Sequence, residues 1–371
     1  MRLRSAGLLP AFALVALGAI PAGAAGASDR GHSITVPLGG SIQAAVDSAV
    51  SGDVIRLRAG VYHESVVIQK DGITIRGARE GGTELQPPAD PSSGCAASAV
   101  GEPDGICILA KSLTPPPDPQ SPPGIGEYVF DTTIKNLTVR GFGSTGVFAF
   151  GADGLVVSNV HAVDNGGYGI ARFASKHTVM KHNLTEGSGE AGLYLGDSPD
   201  ADSVIVGNVT RGNGYGIFLR NSQGATVEDN ISTGNCVGIL VLAGAPGPSG
   251  HYRIADNRIV GNNRVCPAND GAPPLSGLGV FLVGANDTTV EDNVIRDNGG
   301  TGDSIAKGGV VLLSSAAVPG LAPIDPTNNV IRDNRLSRNT PDLVYDGSGS
   351  GNSFSDNRCS SSTPAGLCKR S

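Results

Sequence analysis

Apolar residues in this chain fall in short alternating stretches closed by asparagine, aspartate or glycine, and beyond the first 50 residues no stretch keeps a helical period. Nine asparagines mark the repeat: Asn136, Asn159, Asn183, Asn208, Asn230, Asn257, Asn293, Asn334 and Asn357. Most successive members lie 22 to 27 residues apart, with wider gaps of 36 and 41. Three positions before them, from the second repeat on, stand Val156, Met180, Ile205, Val227, Ile254, Val290, Ile331 and Phe354, all apolar. Five positions after the asparagine runs a second polar column, Asn213, Asn235, Asn262, Asn298 and Asn339. A glycine-aliphatic step then follows, as in Gly169-Ile170, Gly192-Leu193 and Gly216-Ile217. Each unit reads as short strand, polar turn, short strand, glycine turn. Units of this length rich in β-branched residues predict an all-β solenoid, a single-stranded parallel β-helix of about ten or more rungs. Stacking rungs about 4.8 Å apart puts like side chains over one another, so asparagine amides can hydrogen-bond from rung to rung.

The N-terminal part is more specific. The run Ser41-Ile42-Gln43-Ala44-Ala45-Val46-Asp47, followed by Gly52-Asp53-Val54-Ile55, Gly60-Val61-Tyr62 and Ile73-Thr74-Ile75-Arg76-Gly77, resembles the opening of the pectin-lyase-like right-handed β-helix superfamily. Units such as Asp292-Asn293-Val294-Ile295-Arg296-Asp297-Asn298 resemble its generic repeats. The resemblance covers most of the chain and implies the fold. It leaves the activity open, since such repeats serve lyases, hydrolases, epimerases and proteins without chemistry. The chain carries no Asp-Pro-His stretch like that of alginate epimerases, no clustered aspartates resembling polygalacturonases, and no calcium-lyase aspartate set with a downstream Arg-x-Pro.

Five segments are expected. Residues 1–27, with Arg2 and Arg4 before the apolar run Leu8 to Ile20 and small residues near Ala27, read as a signal peptide for an extracellular, secreted protein. Residues 28–85 hold a first strand, a capping helix N-capped by Ser41, and the first rungs. Residues 86–127, proline-rich, read as a loop insertion; 128–358 as the repeats; 359–371 as a tail. Six cysteines suit an oxidising compartment, and sequence proximity suggests Cys95–Cys107, Cys236–Cys266 and Cys359–Cys368 among 15 pairings. No later stretch is apolar and long enough to span a bilayer. The net charge of −7 and scattered basic residues argue against nucleic acid as a partner.

Aligned on the glycine step, one outward column reads Phe148, Ala171, Tyr194, Phe218, Leu240, Phe281 and Val311, and the next Phe150, Phe173, Gly196, Arg220, Leu242, Val283 and Leu313. Such an apolar sheet face is either covered, by the 86–127 loop or by self-association, or offers a sugar platform in Phe150, Phe173, Tyr194 and Phe218. Ionisable residues crowd between Arg172 and Arg220, where Gly196 leaves a notch. The candidate catalytic residues there are Asp197, Arg220, His177, Glu190 and Asp200; the candidate binding residues are Arg172, Phe173, Tyr194, Phe218 and Asn221. Arginine neutralises a uronate carboxylate for elimination, whereas glycoside hydrolysis needs two carboxylates roughly 5 to 9 Å apart. Plainer readings stand beside these: Glu186 and Arg211 form an inter-rung ion pair, 196–200 is an Asx-type turn, and His177 and His182 are exposed turn residues. The column Asp229, Asp256, Asp292, Asp333 and Asp356 either caps turns in water or binds Ca2+. Two function classes remain: a polysaccharide lyase or glycoside hydrolase on an acidic polysaccharide, and a non-catalytic β-helix that binds glycan or cell surface.

Overall fold

A computed structural model of the chain describes residues 31–78, 82–90, 94–95, 102–116, 123–244, 247–269 and 272–369. The proposed signal peptide lies outside them. Thirty strands stack in parallel into a right-handed solenoid with three faces. The first face runs from Ser33–Val36 and Val54–Leu57 through Val179–Lys181 and Ser203–Val206 to Ser353–Ser355. On the second, strands such as Leu184–Glu186, Val209–Arg211 and Ile231–Thr233 pair in sequence. The third runs from Val66–Ile68 through Ile170–Phe173, Ala191–Ser198, Val237–Leu242 and Leu343–Tyr345 to Ser362–Thr363. Helix Ile42–Ser48 buries Ile42, Ala45 and Val46, and the Ser41 side chain accepts from Ala44 N. As expected, it closes the open end of the core.

The interior is a continuous aliphatic stack, for example Ile134, Val157, Met180, Ile205, Val227, Ile254, Val290 and Ile331, each at most 1 % exposed. Burial of this kind stabilises by roughly 25 cal/mol per Å² of apolar area. Beside it run the amide ladders. Asn208 Nδ2 donates to Asn230 Oδ1 at 2.9 Å, Asn230 to Asn257 at 3.0 Å, and Asn257 to Asn293 at 3.0 Å. The second ladder runs Asn213, Asn235, Asn262, Asn298, Asn339 and ends on the carboxylate of Asp342.

Here the structure corrects the nine-membered column. Asn136 and Asn159 sit one residue out of register with the ladder: their ladder positions are taken by Leu137 and Val160, paired directly, and Val160 N donates to Asn183 Oδ1. Both asparagines instead adopt φ of 60° and 52° and share the turn column of His182, Gly207, Asp229, Asp256, Asp292, Asp333 and Asp356, all at positive φ. Asparagine, aspartate and glycine tolerate that left-handed region best, so backbone geometry accounts for the aspartate column. Its members are exposed, and Asp356 pairs with Lys369 at 2.7 Å.

Residues 86–127 are not loop throughout. Ile106–Leu109 is a rung strand paired on both sides, with Val66–Ile68 and with Val147–Phe150, and Ser112–Thr114 pairs antiparallel with Gly124–Glu127. The three cysteine pairs are bonded as proximity suggested. Cys95–Cys107 packs with Phe148, Phe150 and Phe173, so this segment covers the N-terminal part of the apolar face. Farther along, Leu275, Val318 and Leu321, from segments beyond 260, cover Leu240, Phe281 and Val311. Both ends of the apolar face are thus covered by the chain itself.

Candidate functional site

Between these two covers the third face opens into a pocket of about 430 Å³. Its polar end is lined by Tyr168, Glu190, Tyr215 and Arg220, with Phe218 as floor. The register explains the convergence. Phe173, Gly196 and Arg220 follow one another in one outward column, and Ala171, Tyr194 and Phe218 in the next, as the glycine alignment predicts. Ala191 pairs with Tyr215, so Glu190 projects from the turn just before the strand, flanked by tyrosines one rung to each side. Tyr168 and Tyr215 were missed by sequence reasoning. Their signal was the position immediately before the glycine steps Gly169 and Gly216.

Aromatic rings pack the site. The centroid of Tyr194 lies 4.6 Å from that of Phe173, 4.7 Å from Tyr168 and 5.2 Å from Phe218. Tyr194 is 1 % exposed. The notch expected at Gly196 is filled by the Tyr194 ring. Burial pushes the phenols of Tyr168, Tyr194 and Tyr215 well up, the charges of Glu190 and, for Tyr194, Asp197 adding to it, while Arg220 works in the opposite direction. All three therefore keep their protons at neutral pH and act as donors. Arg220 Nε is buried without a hydrogen-bond partner, an unmet donor at the pocket.

The remaining candidates lie elsewhere. Arg172 occupies the core column between Ala149 and Leu195 and is 0 % exposed. Its guanidinium donates to Ser175 O, Ser198 Oγ and, at 2.9 Å, Ser203 Oγ. Desolvation depresses its pKa to about 9. It ties corner turns together inside the solenoid and is out of reach of any ligand, against the expectation that it binds substrate. His177 is an exposed turn residue at φ 47°, 2.6 Å from Asp153 Oδ1, and Asp200 is exposed beside Lys176 at 3.5 Å. Both stand at the corner leading to the first face and line none of the pocket. Asp197, at φ 49°, accepts from Asn221 Nδ2 at 3.3 Å, and Asn221 Oδ1 accepts from Gly244 N. These two form the turn behind Tyr194. Glu186 and Arg211 pair at 2.9 Å, the ordinary inter-rung bridge expected.

No curated protein sequence matches this chain. A model described as right-handed β-helix region matches residues 123–259. Among solved structures, the mannuronan C-5 epimerase AlgE4 A-module of Azotobacter vinelandii is 18 % identical with a TM-score of 0.59, over 85 % of this chain and 89 % of that one. The Dettilon tailspike protein is 14 % identical with a TM-score of 0.53, over 87 % and 66 %. An alginate lyase from Paenibacillus sp. str. FPU-7 is 15 % identical with a TM-score of 0.50, over 83 % and 98 %. The stacked register and amide ladders agree with these likenesses: the chain has the right-handed parallel β-helix fold.

Proposed function

We propose that this protein is an exported enzyme that abstracts the C5 proton of a uronate unit in an acidic polysaccharide. The observation that carries the reading is the convergence of one guanidinium, one carboxylate and two protonated tyrosines, Tyr168 and Tyr215, on a single pocket. Arg220 neutralises the uronate carboxylate, which lowers the energy of the carbanion forming at C5. Glu190 takes the C5 proton. As the C4=C5 bond forms and the C4–O4 bond breaks, Tyr215 gives its proton to the departing oxygen, and solvent resets both groups. Glu190 is the one carboxylate among the described lining residues, which argues against hydrolysis by a carboxylate pair. Two of the structures it resembles, the epimerase and the alginate lyase, are named for acting on uronate polymers. Three disulfides fit an extracellular location.

The test is incubation of the mature protein with mannuronan and other polyuronates in D2O, reading unsaturated chain ends by ultraviolet absorbance and C5 deuterium by NMR. Elimination or exchange is expected, falling at least a hundredfold in Arg220→Ala. Intact, unexchanged polymer throughout overturns the reading and leaves glycan binding without chemistry.

A further inference from the structure

The pocket has a second end. Past Arg220 the same outward columns continue as Leu240 and Leu242 on the next rung and Phe281 and Val283 on the one after, roofed by Leu275 and Leu321. No charged side chain lines this half among the described residues, and Asn269 is its one polar side chain. Two rungs span about 10 Å along the helix axis. Sugar hydroxyls buried there would lose water without gaining partners, so an unsubstituted polysaccharide has no use for such a surface. The roof is also held in place. Cys236, immediately before strand Val237–Leu242, is bonded to Cys266, and Cys266 bridges to Leu275, so the segment over the apolar end is tied to the face it covers.

We propose that the pocket takes a uronate unit carrying an O-acyl group, with the carboxylate at Arg220 and the acyl chain lying toward Val283 over Leu240 and Leu242. This rests on the reading of the polar end as a uronate site and adds the substituent. The occupant joins one anionic group to one short apolar chain, matching the order of charged and aliphatic residues along the pocket.

Mannuronan is prepared unmodified and with acetyl, butyryl or hexanoyl esters at equal substitution, and binding to the full mature chain is measured by calorimetry. Affinity is expected to rise with acyl length, by about threefold to fourfold for each methylene that fits. In Leu242→Asn the ratio of butyrylated to unmodified affinity is expected to fall toward one. The wild-type series needs no variant, so a folding defect in Leu242→Asn leaves the proposal testable. Acylated polymer bound no better than unmodified polymer overturns the acyl assignment and leaves the uronate reading in place. Binding of neither form overturns the uronate reading, and the acyl assignment with it.

Discussion

Tyr194 lies across Gly196: a Cβ placed on that glycine would come within 2.3 Å of the Tyr194 hydroxyl oxygen. The two residues share one strand and one outward face, so the absence of a side chain at 196 is what allows the phenol to lie flat over the backbone there.

Gly196→Ala is therefore expected to push the ring off its seat. Overpacking a closed site costs about 1 to 3 kcal/mol. A drop in melting temperature together with loss of substrate binding would agree; an unchanged crystal position for Tyr194 would refute it.

The ladder and turn columns separate by mutation. Asn230→Ala strands Asn208 N and Nδ2 and the carbonyl of Ile205 in the core, at a cost of about 2 to 4 kcal/mol. Asn159→Gly, in the exposed left-handed column at φ 52°, is expected to be neutral or slightly stabilising. Urea melts of the two variants check this, and equal losses would mean that both residues belong to one ladder.

Acid should loosen the C-terminal end first. Burial pulls the Asp342 pKa up, but bonds from Ser360 N and Oγ and from Asn339 N and Nδ2 outweigh it and hold the carboxyl below the usual aspartate range. A depressed folded pKa means stability that is complete above the unfolded value near 4 and lost as pH falls through the folded one. Asp342→Asn is expected to cost about 1 to 2 kcal/mol at pH 7. That difference should shrink below pH ~3, as wild-type Asp342 takes up its proton. A difference independent of pH would show that the charge is not what holds the tail.

Replacing Cys236 and Cys266 together by serine frees the segment that roofs the pocket. Closing 30 residues of sequence is worth about 3 to 4 kcal/mol against the unfolded chain. Weaker binding of acylated polymer is expected alongside the lower stability, and hydrogen exchange should rise around Leu275. Unaltered binding would show that the roof holds without its bond.

Arg172→Met tests a buried cation that faces no carboxylate among the groups shifting it. Ser198 and Ser203 keep other partners, donating to Gly196 O and Ala201 O. Removing the charge is expected to leave stability within about 1 kcal/mol of wild type or raise it, since an apolar side chain escapes the desolvation cost. A loss above ~3 kcal/mol, of the size expected when a partner is left uncompensated, would show that the corner turns depend on the guanidinium.

Periodicity alone determined the solenoid, because every rung repeats the same local demands: an apolar residue inward, an amide for the ladder, a left-handed residue at the corner and a glycine step. It even placed Phe173, Gly196 and Arg220 in one column, as the strand pairing confirms. It could not tell Asn136 from Asn183, since asparagine satisfies both a ladder and a left-handed turn and the two positions are adjacent. Nor could it say which side of the sheet a charge would face: Arg172, one residue from Phe173, points into the core. The pocket belongs to tertiary structure. Segments from before residue 110 and beyond 260 fold back to cover both ends of the face, and only that uneven cover leaves Tyr168, Glu190, Tyr215 and Arg220 open between them.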